Sequence, residues 1–322
     1  MAGGMAPQPV WLVRTGPSPT PMSHSVPLDA SARADNPDAD TARDDGTHEV
    51  RPDLAYARLA IVNVVFVGLP GAGDRGWVLV DAGVHGSAGA IEAAAEARFG
   101  SGARPAAIVM THGHFDHVGA LVTLAEQWDV PVYAHALERP YLDGTAAYPP
   151  PDPTVGGGLV ARLSPLFPSS PVDVGTRLHT LPADGSIPHL PGWRWIHTPG
   201  HTPGHVSLWR EADRALIVGD AFVTTAQESA YAAATQAPAM HGPPMYFTTD
   251  WEASAASVRA LAVLEPHVVV TGHGRAMEGP QMRAALHTLA LNFEQVAVPD
   301  QGRYVGAPAR ADDGTAYRDP QA

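Results

Sequence analysis

Thr111-His112-Gly113-His114-Phe115-Asp116-His117-Val118-Gly119 packs three histidines and one carboxylate into six positions. Imidazole nitrogen suits zinc, iron and related first-row metals, and a carboxylate can bridge two of them. In an extended segment, residues two apart face the same way, so His112 and His114 can grip one ion. Asp116 and His117 follow a turn and can serve a neighbouring position. Upstream, Ala106-Ala107-Ile108-Val109-Met110 reads as a short buried strand, and from Val118 to Trp128 the apolar residues recur at helical spacing. The cluster is therefore placed on a strand-to-helix connection, where a rigid scaffold commonly carries functional residues.

Three further candidates lie downstream. His201, Asp220 and His273 each sit beside glycine, in Thr198-Pro199-Gly200-His201-Thr202-Pro203-Gly204-His205, Val218-Gly219-Asp220 and Thr271-Gly272-His273-Gly274. A lone histidine is usually structural or solvated, but seven ligand-type residues at strand ends are hard to assign to chance. Five imidazoles and two carboxylates suffice for two divalent ions, zinc first, with iron or manganese also compatible.

These segments, with Val80-Asp81-Ala82-Gly83, occur in the order found in the metallo-β-lactamase-fold hydrolase superfamily, and span about residues 60 to 275. Within it the chain resembles the glyoxalase II and lactonase-like branch. The resemblance implies an α/β fold, a four-layer αββα sandwich. It implies one ion held by His112, His114 and His201 and a second held by Asp116, His117 and His273, with Asp220 bridging them. Asp81 is implied as a support behind the ligands, in line with the need of metal-bound imidazoles for orienting carboxylates. His197 and His205 flank the third motif outside the ligand position and are expected to be structural.

The chemistry implied is hydrolysis of an ester, lactone or thioester by a metal-bound hydroxide, with Asp116 passing a proton to the leaving group. Tyr246, in the loop His241-Gly242-Pro243-Pro244-Met245-Tyr246-Phe247, is a candidate to hydrogen-bond the substrate oxyanion, against the plainer expectation of an aromatic packed under the loop. Many β-lactamases of the superfamily carry cysteine where Asp220 stands, or lack the bridging ligand, which points away from antibiotic hydrolysis. Flavodiiron proteins want Glu in place of His114, together with a flavodoxin domain. A mononuclear iron persulfide dioxygenase shares similar motifs and stays open as an alternative, as does a non-catalytic metal-binding protein.

Composition narrows the partners. The formal net charge is −13, and all 20 basic residues are arginine. No basic cluster is present to neutralise phosphates, so nucleic acid is not expected as a partner. The lack of lysine also weakens the case for a glutathione thioester, whose carboxylates glyoxalase II enzymes commonly bind with lysine and arginine. No apolar run approaches the roughly 20 residues that span a bilayer, and no secretory signal pattern opens the chain. With no cysteine, disulfides are excluded, and a cytoplasmic enzyme acting on a small molecule is the expectation.

Residues 1–50, rich in Pro and Asp, read as an extended or mobile arm that Trp11-Leu12-Val13 could tack to the body. Residues 51–298 form the catalytic domain, and 299–322 a polar, loosely ordered tail. Within the domain, Ile61 to Val67 and Trp77 to Val80 are strands, Ser87 caps a helix ending before Gly100, and a short helix is expected near Leu159 to Leu166. Residues 141–192, broken by Pro and Gly, either shape the pocket or form an excursion on the sheet edge. Thr249-Asp250-Trp251-Glu252 opens a helix to Leu264 as a capping box, Val268 to Val270 is a buried strand, and Pro280 begins a last helix to about Asn292.

Overall fold

The computed structural model describes residues 24–35, 46–226 and 237–321. Two sheets carry the fold. The first has seven strands in the order β2-β3-β4-β5-β6-β7-β8, namely His48–Arg51, Leu54–Leu59, Val62–Val67, Val78–Val80, Ile108–Val109, Val132–Ala134 and Leu178–Thr180. It is antiparallel from β2 to β5 and parallel from β5 to β8. The second has five strands in the order β14-β13-β11-β10-β9, that is Met277–Glu278, Val268–Thr271, Ala215–Gly219, Val206–Arg210 and Trp193–His197.

Alternation along the strands explains the layers. Val65, Val67, Val78, Val80 and Val109 point from the first sheet into a core shared with Val206, Leu208, Ile217, Val268 and Val270 of the second. Their neighbours Phe66, Leu79 and Ile108 point the other way, onto Ile91, Phe99, Leu121 and Leu124 of helices α1 (Ala88–Phe99) and α3 (Leu121–Trp128). Trp209, Leu216, Val218 and Val269 likewise leave the second sheet outward, onto Val258, Leu261, Leu286 and Leu289 of two later helices. Period-2 strands with apolar residues on both faces must be covered twice, and the result is helix, sheet, sheet, helix. The expected αββα sandwich is what the chain forms.

The same topology collects the strand ends at one edge. β5 and β6 are parallel, so Asp81 and the segment from Thr111 emerge side by side. β11 and β13 are parallel, so Asp220 and His273 emerge together. β10 is antiparallel to β11, which puts the turn before it, with His201, at that edge too. Val206 N–H donates to Thr111 O (3.0 Å) and Asn63 N–H to Gly272 O (2.7 Å), tying the two sheets there. The helical turn α2 (Phe115–Val118) carries Asp116 and His117 between β6 and α3.

Several local expectations need correction. Ser87 stands at the start of α1, but its hydroxyl donates to Val84 O (2.6 Å) rather than capping the helix. The helix Trp251–Val263 is capped by Asp250, which accepts from Ala253 N–H, so the cap lies one residue beyond Thr249. The last long helix, Gly279–Leu291, does begin with proline in its first turn. A helix at Leu159–Leu163, continued by the turn Ser164–Leu166, matches the expected one. Strands β2 and β3 were missed. Leu54-Ala55-Tyr56-Ala57 is buried on both faces and so shows no apolar–polar alternation.

Both ends of the described chain are packed on the body. Of the arm expected over residues 1–50, strand β1 (Ser25–Pro27) pairs with β12 (Ala239–His241), and the buried Asp35 binds Arg33 and Arg275. Trp11-Leu12-Val13, Pro17 and Asp38 lie outside the described residues. The tail expected to be loose is also tied down. Ala309 N–H donates to Thr249 O (3.0 Å), Tyr141 Oη–H donates to Ala316 O (2.8 Å), Tyr304 is buried, and Arg318 pairs with Ala147. Polar composition hid these contacts because they run largely through backbone groups and isolated tyrosines. Among the described residues no helix is long and apolar enough to cross a membrane.

Deleting residues 299–322 should therefore cost about 3 kcal/mol or more, from the buried area of Tyr304 and Tyr317 alone. Thermal unfolding followed by circular dichroism would show a lower Tm. An unchanged Tm would mean that the tail adds nothing to the body's stability.

Candidate metal centre

All seven predicted ligand-type residues are buried and meet at the shared edge. Three groupings bring ligand atoms within 4.8 Å of one another: His112 with His114 and His201, His112 with His117 and Asp220, and Asp116 with His117 and His273. His114 Nδ1 lies 2.9 Å from His201 Nε2. Asp116 Oδ2 lies 3.4 Å from His273 Nε2. Asp220 Oδ2 stands between, 3.6 Å from His201 Nε2, 3.6 Å from His117 Nε2 and 3.1 Å from His273 Nε2.

The outward nitrogens are held by the protein. His117 Nδ1 pairs with Asp81 Oδ2 (2.8 Å), His273 Nδ1 with Ile61 O (2.6 Å), His201 Nδ1 with Thr248 Oγ1 (3.2 Å) and His112 Nδ1 with Thr111 Oγ1 (3.1 Å). Fixing Nδ1 in this way aims Nε2 at the centre. Asp81 also accepts from Thr111 N–H (2.8 Å) and Thr111 Oγ1–H (2.7 Å). It adopts φ +61° at the end of β5, a left-handed turn that aspartate tolerates better than most residues. Asp81 thus stands behind His117, on the side away from Asp220.

The donor set fits a divalent metal. His112 Nε2, His117 Nε2 and Asp220 Oδ1 are buried without a hydrogen-bond partner, although buried polar atoms are normally paired. They converge with further nitrogen and oxygen donors, as a nitrogen–oxygen metal site requires. The space is reserved by sequence as well. A Cβ on Gly272 would lie 2.1 Å from Asp220 Oδ1, so only glycine fits beside that carboxylate.

Protonation follows from burial and charge. Burial holds the rings of His112 and His114 well below the usual imidazole range and His201 at about 4, so these present lone pairs. His117 and His273 feel the same burial, but Asp220 and Asp116 outweigh it and raise them. Burial works against ionised Asp220, yet His273 and His117 beside it keep its carboxyl well below the usual range. Asp116 is pushed upward, with burial the largest cause.

Other residues play supporting parts. His205 accepts from Asp220 N–H at Nε2 (2.8 Å) and meets Thr198 Oγ1 at Nδ1 (2.8 Å), a structural role as expected. His197 Nε2 pairs with Pro203 O (2.8 Å) and its ring stacks on His135. Tyr246 is buried, its ring against Phe167 and Phe247, and it is Phe247 that packs on His114 at 4.6 Å between centroids. From residues 141–192, Phe167 reaches Phe115 (5.1 Å) and β8 completes the first sheet. Sequence reasoning missed Asn63 and Glu138. Asn63 Nδ2–H donates to Thr271 O (2.9 Å) and Gly274 O (2.7 Å), bracing the turn that carries His273. No local motif marks either residue, because their partners lie from 10 to more than 200 residues away.

A buried histidine–carboxylate cluster at the open edge of an αββα sandwich defines a metal-dependent hydrolase fold. The chain belongs to the metallo-beta-lactamase superfamily, whose family model matches residues 57–273. It is 50% identical over 236 residues to "Probable metallo-hydrolase YflN" of Bacillus subtilis (strain 168), covering 73% of this chain and 89% of that one. It is 26% identical over 115 residues to "Hydroxyacylglutathione hydrolase GloC" of Haemophilus influenzae, covering 35% of this chain and 48% of the relative. Among solved structures, a beta-lactamase domain protein from Burkholderia ambifaria shares the fold with TM-score 0.52 and 24% identity, over 81% of this chain and 76% of that one.

Replacing Asp81 with alanine should lower metal affinity about 10- to 100-fold by freeing His117 Nδ1. Competition against a chromophoric chelator would measure this. Unchanged affinity would remove Asp81 from the support of the centre.

Proposed function

We propose that this chain is a dinuclear metal-dependent hydrolase that cleaves an ester, lactone or thioester bond in a small molecule. The arrangement of Asp220 carries the proposal: one oxygen lies within 3.6 Å of His201 Nε2 on one side and of His117 and His273 Nε2 on the other. His112, His114 and His201 would hold one ion and Asp116, His117 and His273 the other, with Asp220 shared. Zinc suits this nitrogen–oxygen set, and iron or manganese is compatible with it. When bound, such ions supply a Lewis acid and a water ionisable near neutral pH.

The chain's own groups set up the rest. Asp81, Thr111, Thr248 and the Ile61 carbonyl keep four imidazoles aimed inward. Asp116 would take up the proton released by the attacking water at Oδ1, the oxygen that does not make the 3.4 Å approach to His273, and pass it to the leaving group. The step assigns no part to Tyr246, whose ring packs on Phe167 and Phe247. Phe247 and Tyr148, both against His114, give this side of the centre an aromatic wall. With net charge −13 and no lysine, a neutral or weakly charged substrate is favoured over a dianionic thioester.

Metal-quantified protein tested on lactones, thioesters and aryl esters should turn over at least one class and bind two ions per chain. D220A should lose at least 1,000-fold in kcat/KM, about 4 kcal/mol, while its far-UV circular dichroism stays unchanged. Turnover that persists after the ions are stripped would overturn the proposal. One iron per chain with oxygen consumption on persulfides would favour a dioxygenase instead.

A further inference from the structure

Glu138 lies outside every ligand motif, yet it is fully buried between two of the ligand loops. Its Oε1 accepts from Thr202 Oγ1–H (2.8 Å) and Gly204 N–H (2.8 Å), in the loop that carries His201. Its Oε2 accepts from Gly113 N–H (3.0 Å), between His112 and His114, and from the Tyr148 hydroxyl. The Gly113 N–H also reaches Tyr148 Oη (2.9 Å), and the Tyr148 ring rests on His114 (4.4 Å between centroids). One carboxylate thus joins the His112–His114 loop from the first sheet to the His201 loop from the second. All four of its close partners are donors.

The backbone is shaped around this group. A Cβ on Gly204 would meet Glu138 N at 2.7 Å and its Cγ at 2.8 Å, and one on Gly113 would meet Tyr148 Oη at 2.9 Å. Glycine at both positions lets the two loops close on the carboxylate. A buried carboxylate is costly unless its oxygens are satisfied, and here both are. Its placement at the seam of two loops, with four donors drawn from both sides, calls for a role beyond packing.

We infer that Glu138 is a positioning residue, which sets the distance between the His112–His114 pair and His201 and so tunes the affinity of the ion they share. The inference rests on the two-ion assignment proposed above. It bears on one site above the other, because His117 and His273 are held at Nδ1 by Asp81 and the Ile61 carbonyl and make no contact with Glu138 among the hydrogen bonds of the centre. Glutamine cannot replace the carboxylate. Whichever way its amide is turned, the NH2 faces a backbone N–H, either of Gly113 or of Gly204, and neither can turn round to accept.

The test is a titration of metal-free wild type, E138Q and T202V with Co²⁺, read by calorimetry and by the ligand-field absorption of the bound ion. Wild type should take up two ions. E138Q should bind one of them about 10- to 100-fold more weakly, with an altered absorption band, while the other keeps its affinity within threefold. T202V, which removes one donor only, should weaken the same ion to a smaller extent and covers the case in which E138Q does not fold. Equal weakening of both ions, or two unchanged affinities in a folded variant, would overturn the positioning role and leave the two-ion assignment standing. Fewer than two ions on the wild type would overturn both.

Discussion

The structure turns on a buried carboxylate that no single element could place. Asp220 Oδ2 is shared among three imidazole nitrogens from three different parts of the chain, and Asp220 Oδ1 is left without a hydrogen-bond partner. Burying such a group is unfavourable unless compensating charge surrounds it. Two sheets packed face to face therefore bring their strand ends to one common edge, so that His117 from one and His201 and His273 from the other arrive together. The loops follow from that requirement. Gly272 leaves room for the carboxylate, and a register shift between Ile217 and Gly219 turns the end of β11 towards the centre.

Around this centre the chain invests in orientation. Four of the five ligand-type histidines have their outward nitrogen engaged by Asp81, Thr111, Thr248 or the Ile61 carbonyl, and His114 is instead wedged between the Tyr148 and Phe247 rings. Fixed rings lose little freedom when they take up an ion, and a dry surround strengthens the electrostatics of whatever is bound. The same design explains why so much of the chain remote in sequence is recruited. Glu138 ties two ligand loops, and the C-terminal segment closes over Thr249 and Tyr141.

Much of this was legible residue by residue. The His112 to His117 cluster, with His201, Asp220 and His273, announces metal chemistry through side-chain type and spacing, and the family's motif order carries the fold with it. His205 was readable as structural because it starts a strand outside the ligand position, and its bonds to Thr198 and Asp220 agree. The second strand of the large sheet was not readable, since double-faced burial erases the alternation that marks a strand, and the first is a four-residue edge strand with one buried side chain. The packing of residues 25–35 and 299–321 on the body was not legible for a related reason. Their anchors are backbone pairings and single buried side chains, which leave no periodic signal.

By itself, the sequence determined the inventory of ligand-type side chains, the sandwich architecture and the exclusion of disulfides, because these depend on residue identity, motif order and local period. Only the tertiary structure decided which atoms meet: that Asp220 stands between two groups of imidazoles, that Phe247 rather than Tyr246 faces His114, and that Glu138 joins the loops. The physical reason is range. Side-chain chemistry is written at each position, whereas burial and hydrogen bonding across more than 20 residues exist only once the two sheets have closed on their common core.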